Sequence, residues 1–272
     1  KVVSEPDIYG DTFNAASFTS AESSYALATY TSTDNDISFS GSGSDLPFSV
    51  SMWIKRIIGT GGYDKFFTKM DTSKYEFQAM YRNPGTPYLD FQLYDNSITL
   101  SGTSTYLRGK ANNVELVQDK WHHVVFTYNG KGVTDKDASG IKIYVDGDSK
   151  TITDTSANAS NYAGMEKVTE KLFIGNYLSG NNQIEGYMAE FAIWSKELTS
   201  SEVKAIYYHT YNSSYKNKSG YINLPPRLKL RNLDNRTGYY PTHHRMGDKD
   251  RSGKQNIFYE DLPIIFGSKI ED

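Results

Sequence analysis

Trp121-His122-His123-Val124-Val125-Phe126-Thr127-Tyr128-Asn129-Gly130, followed after a polar interval by Ile141-Lys142-Ile143-Tyr144-Val145-Asp146-Gly147, decides how this chain folds. Both runs are rich in β-branched and aromatic residues and both end on turn formers, so they read as strands. Asp146-Gly147 suits a tight hairpin, whose central positions need positive φ. Within a strand His122 and His123 point to opposite faces, so they do not share a metal ion. One of them is expected buried and the other exposed, and Trp121 is expected between two sheets.

Outward from this pair the same texture continues. Phe48-Ser49-Val50-Ser51-Met52 alternates apolar and polar before closing on Trp53-Ile54, as a half-buried strand does. Phe66 to Lys69, Tyr75 to Met80, Leu89 to Tyr94, Leu172 to Ile174 and Tyr187 to Trp194 are further strands, with Asn83-Pro84-Gly85 as a turn. Tyr25 to Tyr30 and Ile37 to Ser40 are candidates nearer the start. Short strands with turn signals between them predict a sandwich or barrel. A helix is predicted near 199–208: Thr199 is its N-cap, Glu202 completes a capping box, and Val203, Ile206 and Tyr207 face the core.

In order and spacing these stretches, with Phe173-Ile174-Gly175 and Gly186 to Trp194 running into Leu198-Thr199-Ser200-Ser201-Glu202-Val203, resemble the LamG-like and pentraxin-like jelly-roll family. That is the concanavalin A-like lectin/glucanase sandwich. The resemblance covers roughly 45–210 and implies an all-β, antiparallel two-sheet jelly roll. Residues 1–45 are expected to add N-terminal strands or an extension joined to it, and 211–272 to form an extended arm. Gly220 to Arg227, Thr237 to Thr242 and Arg245 to Asp248 look like the ends of LamG-like structural or decoration proteins of bacteriophages.

Composition narrows the function. The chain has 272 residues, enough for a large core, and no cysteine, which removes disulfides, thiolate metal sites and a cysteine nucleophile. A net charge of −3 does not suggest a nucleic-acid binder, and no apolar run approaches the length of a membrane span. The start Lys1-Val2-Val3-Ser4-Glu5 has no apolar h-region, and a start without Met carries the expectation that something upstream was removed or not seen. The stretch 211–272 holds four of the eight prolines, and its eleven Lys and Arg outnumber seven Asp and Glu. A basic arm beside an acidic body suits docking on other copies or neighbouring surface proteins.

Enzyme signatures are missing. Retaining glucanases of this sandwich set two carboxylates about 5 Å apart from an E-x-D-x-x-E strand, and no such triplet occurs here. Glu76, Asp90 and Glu190 stand singly and are expected to face solvent. No G-x-S-x-G elbow is present. Calcium is the candidate ion, since Asp135, Asp137 and Ser139, and again Asp248, Asp250 and Ser252, follow D-x-D-x-S-G. Interleaved basic residues oppose a divalent ion in both loops, and the strand after Gly140 carries Asp146 away. The pentraxin-type calcium cluster also transfers poorly, because Asn176 to Gly180 is not acidic and Ala189 stands at the family's usual Asp. For sugars, Tyr63, Tyr106, Tyr162 and Tyr177 with Asn181 and Asn182 are candidate stacking and amide groups in loops.

The sequence therefore predicts a non-catalytic module of an extracellular or virion surface that assembles or attaches. The alternative is a calcium-assisted, lectin-like carbohydrate binder, and a polysaccharide-degrading enzyme is the least favoured.

Overall fold

The computed structural model describes residues 2–6, 12–18, 26–28, 37–41, 43–57, 63–70, 74–83, 85–100, 103–168, 172–175 and 184–211. In chain order the elements are β1 (Val2–Pro6), β2 (Thr12–Phe18), β3 (Ala26–Ala28), β4 (Phe48–Arg56), β5 (Tyr63–Met70), β6 (Tyr75–Arg82), β7 (Tyr88–Leu100) and β8 (Thr103–Asn112). They continue with β9 (Trp121–Tyr128), α1 (Gly132–Asp135), β10 (Ile141–Val145), β11 (Asp148–Ser149), β12 (Thr153–Asp154), β13 (Leu172–Ile174), β14 (Gly186–Trp194) and α2 (Ser200–Tyr211).

Among the described residues the strands form two seven-stranded sheets, ordered β1-β2-β14-β4-β9-β10-β11 and β12-β8-β7-β6-β5-β13-β3, and each neighbouring pair is antiparallel. β2 is hydrogen-bonded to β14 and β3 to β13, so strands from the first 45 residues complete both sheets. The arm expected at 211–272 lies, beyond the end of α2, outside the described residues.

Phe67 joins the sheets. Its ring meets Phe77 and Phe91 of its own sheet and Phe126 and Phe191 of the other edge-on, at centroid distances of 6.1, 6.1, 5.7 and 5.9 Å. Edge-to-face contacts of this kind add to the stabilisation from burial alone. Asp146 and Gly147 take φ of 55° and 84° and turn the chain from β10 into β11, as the dipeptide predicts.

The outer face of the first sheet is covered rather than wet. Trp194, Leu198, Val203 and Ile206 pack with Val125 and Tyr144 under α2. The capping box forms as expected: the Thr199 amide donates to Glu202 at 2.8 Å, and the Glu202 amide to the Thr199 hydroxyl at 3.3 Å. This cover corrects three expectations. His122 and His123 do point to opposite faces, yet both are buried, because both faces of β9 are packed. Trp121 lies with Ala15, Trp53 and Ala189 on the outer face, not between the sheets. Even Ser49 and Ser51 are buried, their hydroxyls bonded to Leu198, Lys196 and Trp194.

Candidate functional site

The outer face of the second sheet is also closely packed, but by polar and aromatic groups: Lys65, Gln78, Met80, Asp90 and Gln92 are buried, and Arg82, Tyr94, Tyr106, Arg108 and Lys110 are half-buried. On β6 and β7 the inward positions Phe77, Ala79, Tyr81, Leu89, Phe91 and Leu93 fill the core. Strand alternation then turns Gln78, Met80, Arg82, Tyr88, Asp90, Gln92 and Tyr94 outward. Register places these groups in rows. Gln78 stands opposite Gln92, and Gln92 opposite Arg108. Lys65, Met80, Asp90 and Lys110 form the next row. Tyr63, Arg82 and Tyr88 bound one end, and Tyr94 opposite Tyr106 bounds the other.

A chain of hydrogen bonds crosses the centre. Lys65 Nζ donates to Gln78 Oε1 at 2.8 Å, and Gln78 Nε2 donates to Gln92 Oε1 at 2.9 Å. Gln92 Nε2 donates to Asp90 Oδ1 at 3.1 Å, and Arg108 Nε donates to Asp90 Oδ2 at 3.1 Å. The Tyr94 hydroxyl accepts from Gln78 at 2.5 Å and donates to Gln92. Neither amide has freedom to flip, since each oxygen and nitrogen is committed by its neighbours.

Burial sets the charges of these groups. It pushes Lys65 down to about 8, with Asp90 pulling the other way. It pushes the Asp90 carboxyl above its ordinary range, against the stabilising Arg108. It also drives the Tyr94 hydroxyl far up, helped by Asp90 and the flanking tyrosines, so this hydroxyl keeps its proton. Around the centre lie aromatic rings. Tyr75, Tyr94 and Tyr106 follow one another at 5.0 and 5.5 Å, and Lys110 Nζ stands 3.8 Å above the Tyr88 ring.

This arrangement corrects the expectation that Glu76 and Asp90 face solvent, since both are fully buried. Glu76 accepts from the Ser38 hydroxyl and the Phe39 and Val168 amides, and lies 3.9 Å from Lys69. Glu190 is half-buried at a bulge in β14, with φ of 51°.

The structure also separates the sugar candidates. Tyr106 belongs to β8 rather than a loop and stands at the aromatic end of the face, while Tyr63 opens β5 at the other end. Tyr162 offers no ring face to a sugar: it is fully buried, and its hydroxyl donates to Asp45 Oδ2 at 2.9 Å. Tyr177, Asn181 and Asn182 lie outside the described residues. Lys65, Gln78, Gln92, Tyr94 and Arg108 were not anticipated, although large polar residues in place of Ser and Thr at alternate strand positions carry the signal.

The first D-x-D-x-S-G loop does not fit a calcium ion. Asp135 ends α1, Asp137 Oδ1 accepts from the Ser139 amide at 2.8 Å, and the Lys136 ammonium lies on the Tyr162 carbonyl. Asp146 is occupied at the far end of β10, accepting from His122 Nδ1 at 2.8 Å and the His123 amide at 2.9 Å. Among the described residues no group of three or more His, Asp or Glu could hold a metal ion. Asp248, Asp250 and Ser252 lie outside them.

Two packed antiparallel sheets of this kind make the fold a lectin-type β-sandwich. The family described as the concanavalin A-like lectin/glucanases superfamily, in its laminin G form, matches residues 22–204, and the chain belongs to it. No curated protein matches the chain. Among solved structures, the binding domain of botulinum neurotoxin serotype G is similar at 14% identity and a TM-score of 0.50, over 76% of this chain and 44% of that one. A heptameric SAP-like pentraxin from Limulus polyphemus aligns at 16% identity and a TM-score of 0.40, over 61% of this chain and 71% of that one. A putative carbohydrate binding protein from Bacteroides ovatus aligns at 17% and 0.39, over 59% and 40%. The chain thus spans less than half of the neurotoxin domain and of the Bacteroides protein. Among the described residues no helix is long and apolar enough to cross a membrane.

Proposed function

We propose that this chain is a non-catalytic glycan-binding module of an extracellular or virion surface, and that it binds through the outer face of the second sheet. The observation that carries this is the row of half-buried Tyr75, Tyr94 and Tyr106 rings, held in place by the buried amides of Gln78 and Gln92, beside half-buried Arg82, Arg108 and Lys110. Aromatic rings stack on the apolar faces of pyranoses, while charged groups beside them pair with hydroxyls. The carboxylates of the face are committed elsewhere, Asp90 to Arg108 and Gln92 and Glu76 to Lys69 and backbone amides, which disfavours an acid–base pair.

The test is a glycan array with the full chain and with Tyr106→Ala. Retention on a subset of glycans that falls at least tenfold in the variant supports the proposal. No retention on any glycan sinks it, and release of new reducing ends from a bound polysaccharide sinks its non-catalytic part.

Attachment to other copies through the basic 211–272 stretch belongs to the same proposal and rests on its charge, opposite to that of the body. The solution mass of the full chain beside one ending after Tyr211 tests it. Equal masses would remove the assembly role.

A further inference from the structure

We propose that the ligand of this face is an acidic glycan, whose carboxylate or sulfate groups are held at the end of the face where Arg82 and Lys110 meet over Tyr88. This rests on the glycan-binding assignment above and narrows it to a ligand class.

The argument begins with charge. Four cationic side chains, Lys65, Arg82, Arg108 and Lys110, share the face with a single outward carboxylate in their rows, Asp90. Asp90 is already taken by Arg108, through Nε at 3.1 Å and a second contact from Nη2. Among the described residues no carboxylate forms an ion pair with Arg82 or Lys110. The whole chain is acidic, at −3, so this local excess of positive charge is not general basicity. Like charges brought together cost free energy unless an anion joins them.

Geometry points the same way. The Arg82 guanidinium lies 5.0 Å from the Tyr63 ring centroid and 5.9 Å from that of Tyr88, and Lys110 Nζ lies 3.8 Å from the Tyr88 centroid. With the Arg108 guanidinium 6.0 Å from the same centroid, the Tyr88 ring gathers three cations and orders side chains that otherwise sample many rotamers. The Arg82 guanidinium, whose Nη1 also donates to the Tyr88 hydroxyl at 3.5 Å, keeps further donors of its planar fork for a carboxylate or sulfate. The six strand positions from Tyr88 to Tyr94 separate this cationic end from the Tyr94-Tyr106 end by about 20 Å. A short oligosaccharide spans that distance, with rings on the tyrosines and acidic groups on Arg82 and Lys110.

The experiment uses the full chain with three probes of matched length: oligo-alginate carrying carboxylates, dextran sulfate carrying sulfates, and uncharged dextran. Binding is measured by calorimetry at two salt concentrations for wild type, Arg82→Gln, Lys110→Gln and Tyr106→Ala. One or both acidic probes are expected to bind more tightly than dextran. Each cation variant should lose at least tenfold with the acidic probe and nothing with dextran, and Tyr106→Ala should weaken every probe that binds. Preference between alginate and dextran sulfate assigns carboxylate or sulfate. Dextran binding as tightly as either acidic probe, with the cation variants neutral, overturns this inference while leaving glycan binding intact. Failure of all three probes together with an empty glycan array overturns both. Duplex DNA bound as tightly as the acidic glycan would reduce the face to a general polyanion surface and also overturn it.

Discussion

Lys65 Nζ donates to Gln78 Oε1 at 2.8 Å, and this contact decides which way two amides face. With its oxygen engaged, Gln78 can only donate onward to Gln92 and Tyr94, and Gln92 then donates to Asp90. A cation on β5 thereby fixes the donor and acceptor pattern of a buried network that reaches two strands away and holds the Tyr94 hydroxyl.

Because burial holds Lys65 down at about 8, its charge changes within an accessible range. It is cationic below that value and neutral above, so affinity for an acidic glycan should fall severalfold between pH 7 and 9. Lys65→Met should remove that dependence and bind weakly throughout. Calorimetry across this range checks it, and a flat wild-type profile would contradict it.

Asp45 is a separate matter of stability. Its buried carboxylate accepts from the Tyr128 hydroxyl at 2.5 Å, the Tyr162 hydroxyl at 2.9 Å and the Met165 amide at 2.7 Å. Asp45→Ala leaves three buried donors without an acceptor and should cost about 3 kcal/mol or more. Urea denaturation reads the loss directly.

His123 should give the fold a pH dependence of known sign. Burial between Trp53 and Tyr207 pushes its ring down to about 4, although Asp146 pulls upward. Its folded value lies below the unfolded one near 6.5, so its contribution is intact above about 6.5 and lost as pH falls towards 4. Asp64 and Glu76, raised to about 6 by burial, act in the opposite sense and lose their contribution as pH rises through 6. The comparison must therefore be with His123→Phe. The gap in unfolding free energy should move in the variant's favour by about 3 kcal/mol between pH 7 and 4.

Phe67→Ala removes the ring that touches aromatics of both sheets and should cost about 4 kcal/mol. The loss should appear as a lower denaturation midpoint with an unchanged slope.

Much of the sandwich can be read from the chain, and the reasons for the failures are specific. β9, β10, β14 and the α2 cap are legible because each joins a strong local propensity to a turn or capping residue. β8 escapes notice because Gly109 weakens its pattern. A Cβ there would stand 2.7 Å from Ile141 Cγ2, so packing demands the glycine. The burial of both histidines and the outer placement of Trp121 are not legible locally, because the lid over that face comes from α2, distant in sequence. The face itself is half legible: Tyr63 and Tyr106 stand out in the sequence, although as loop residues rather than on β5 and β8. The amides between them are not legible as a group, since alternation marks which residues turn outward and not that they meet across four strands.

The three donors to Asp45 come from residues 83, 117 and 120 positions further along the chain. During synthesis this carboxylate therefore leaves the ribosome long before any of its partners exists. β4, emerging with it, must wait longer still for β14, its neighbour in the first sheet. The nascent protein thus exposes strand edges and a charged group without its acceptor role filled until nearly the whole sandwich has been made. Folding at the exit tunnel should begin only after α2 clears it, and truncated chains should be the species that chaperones retain.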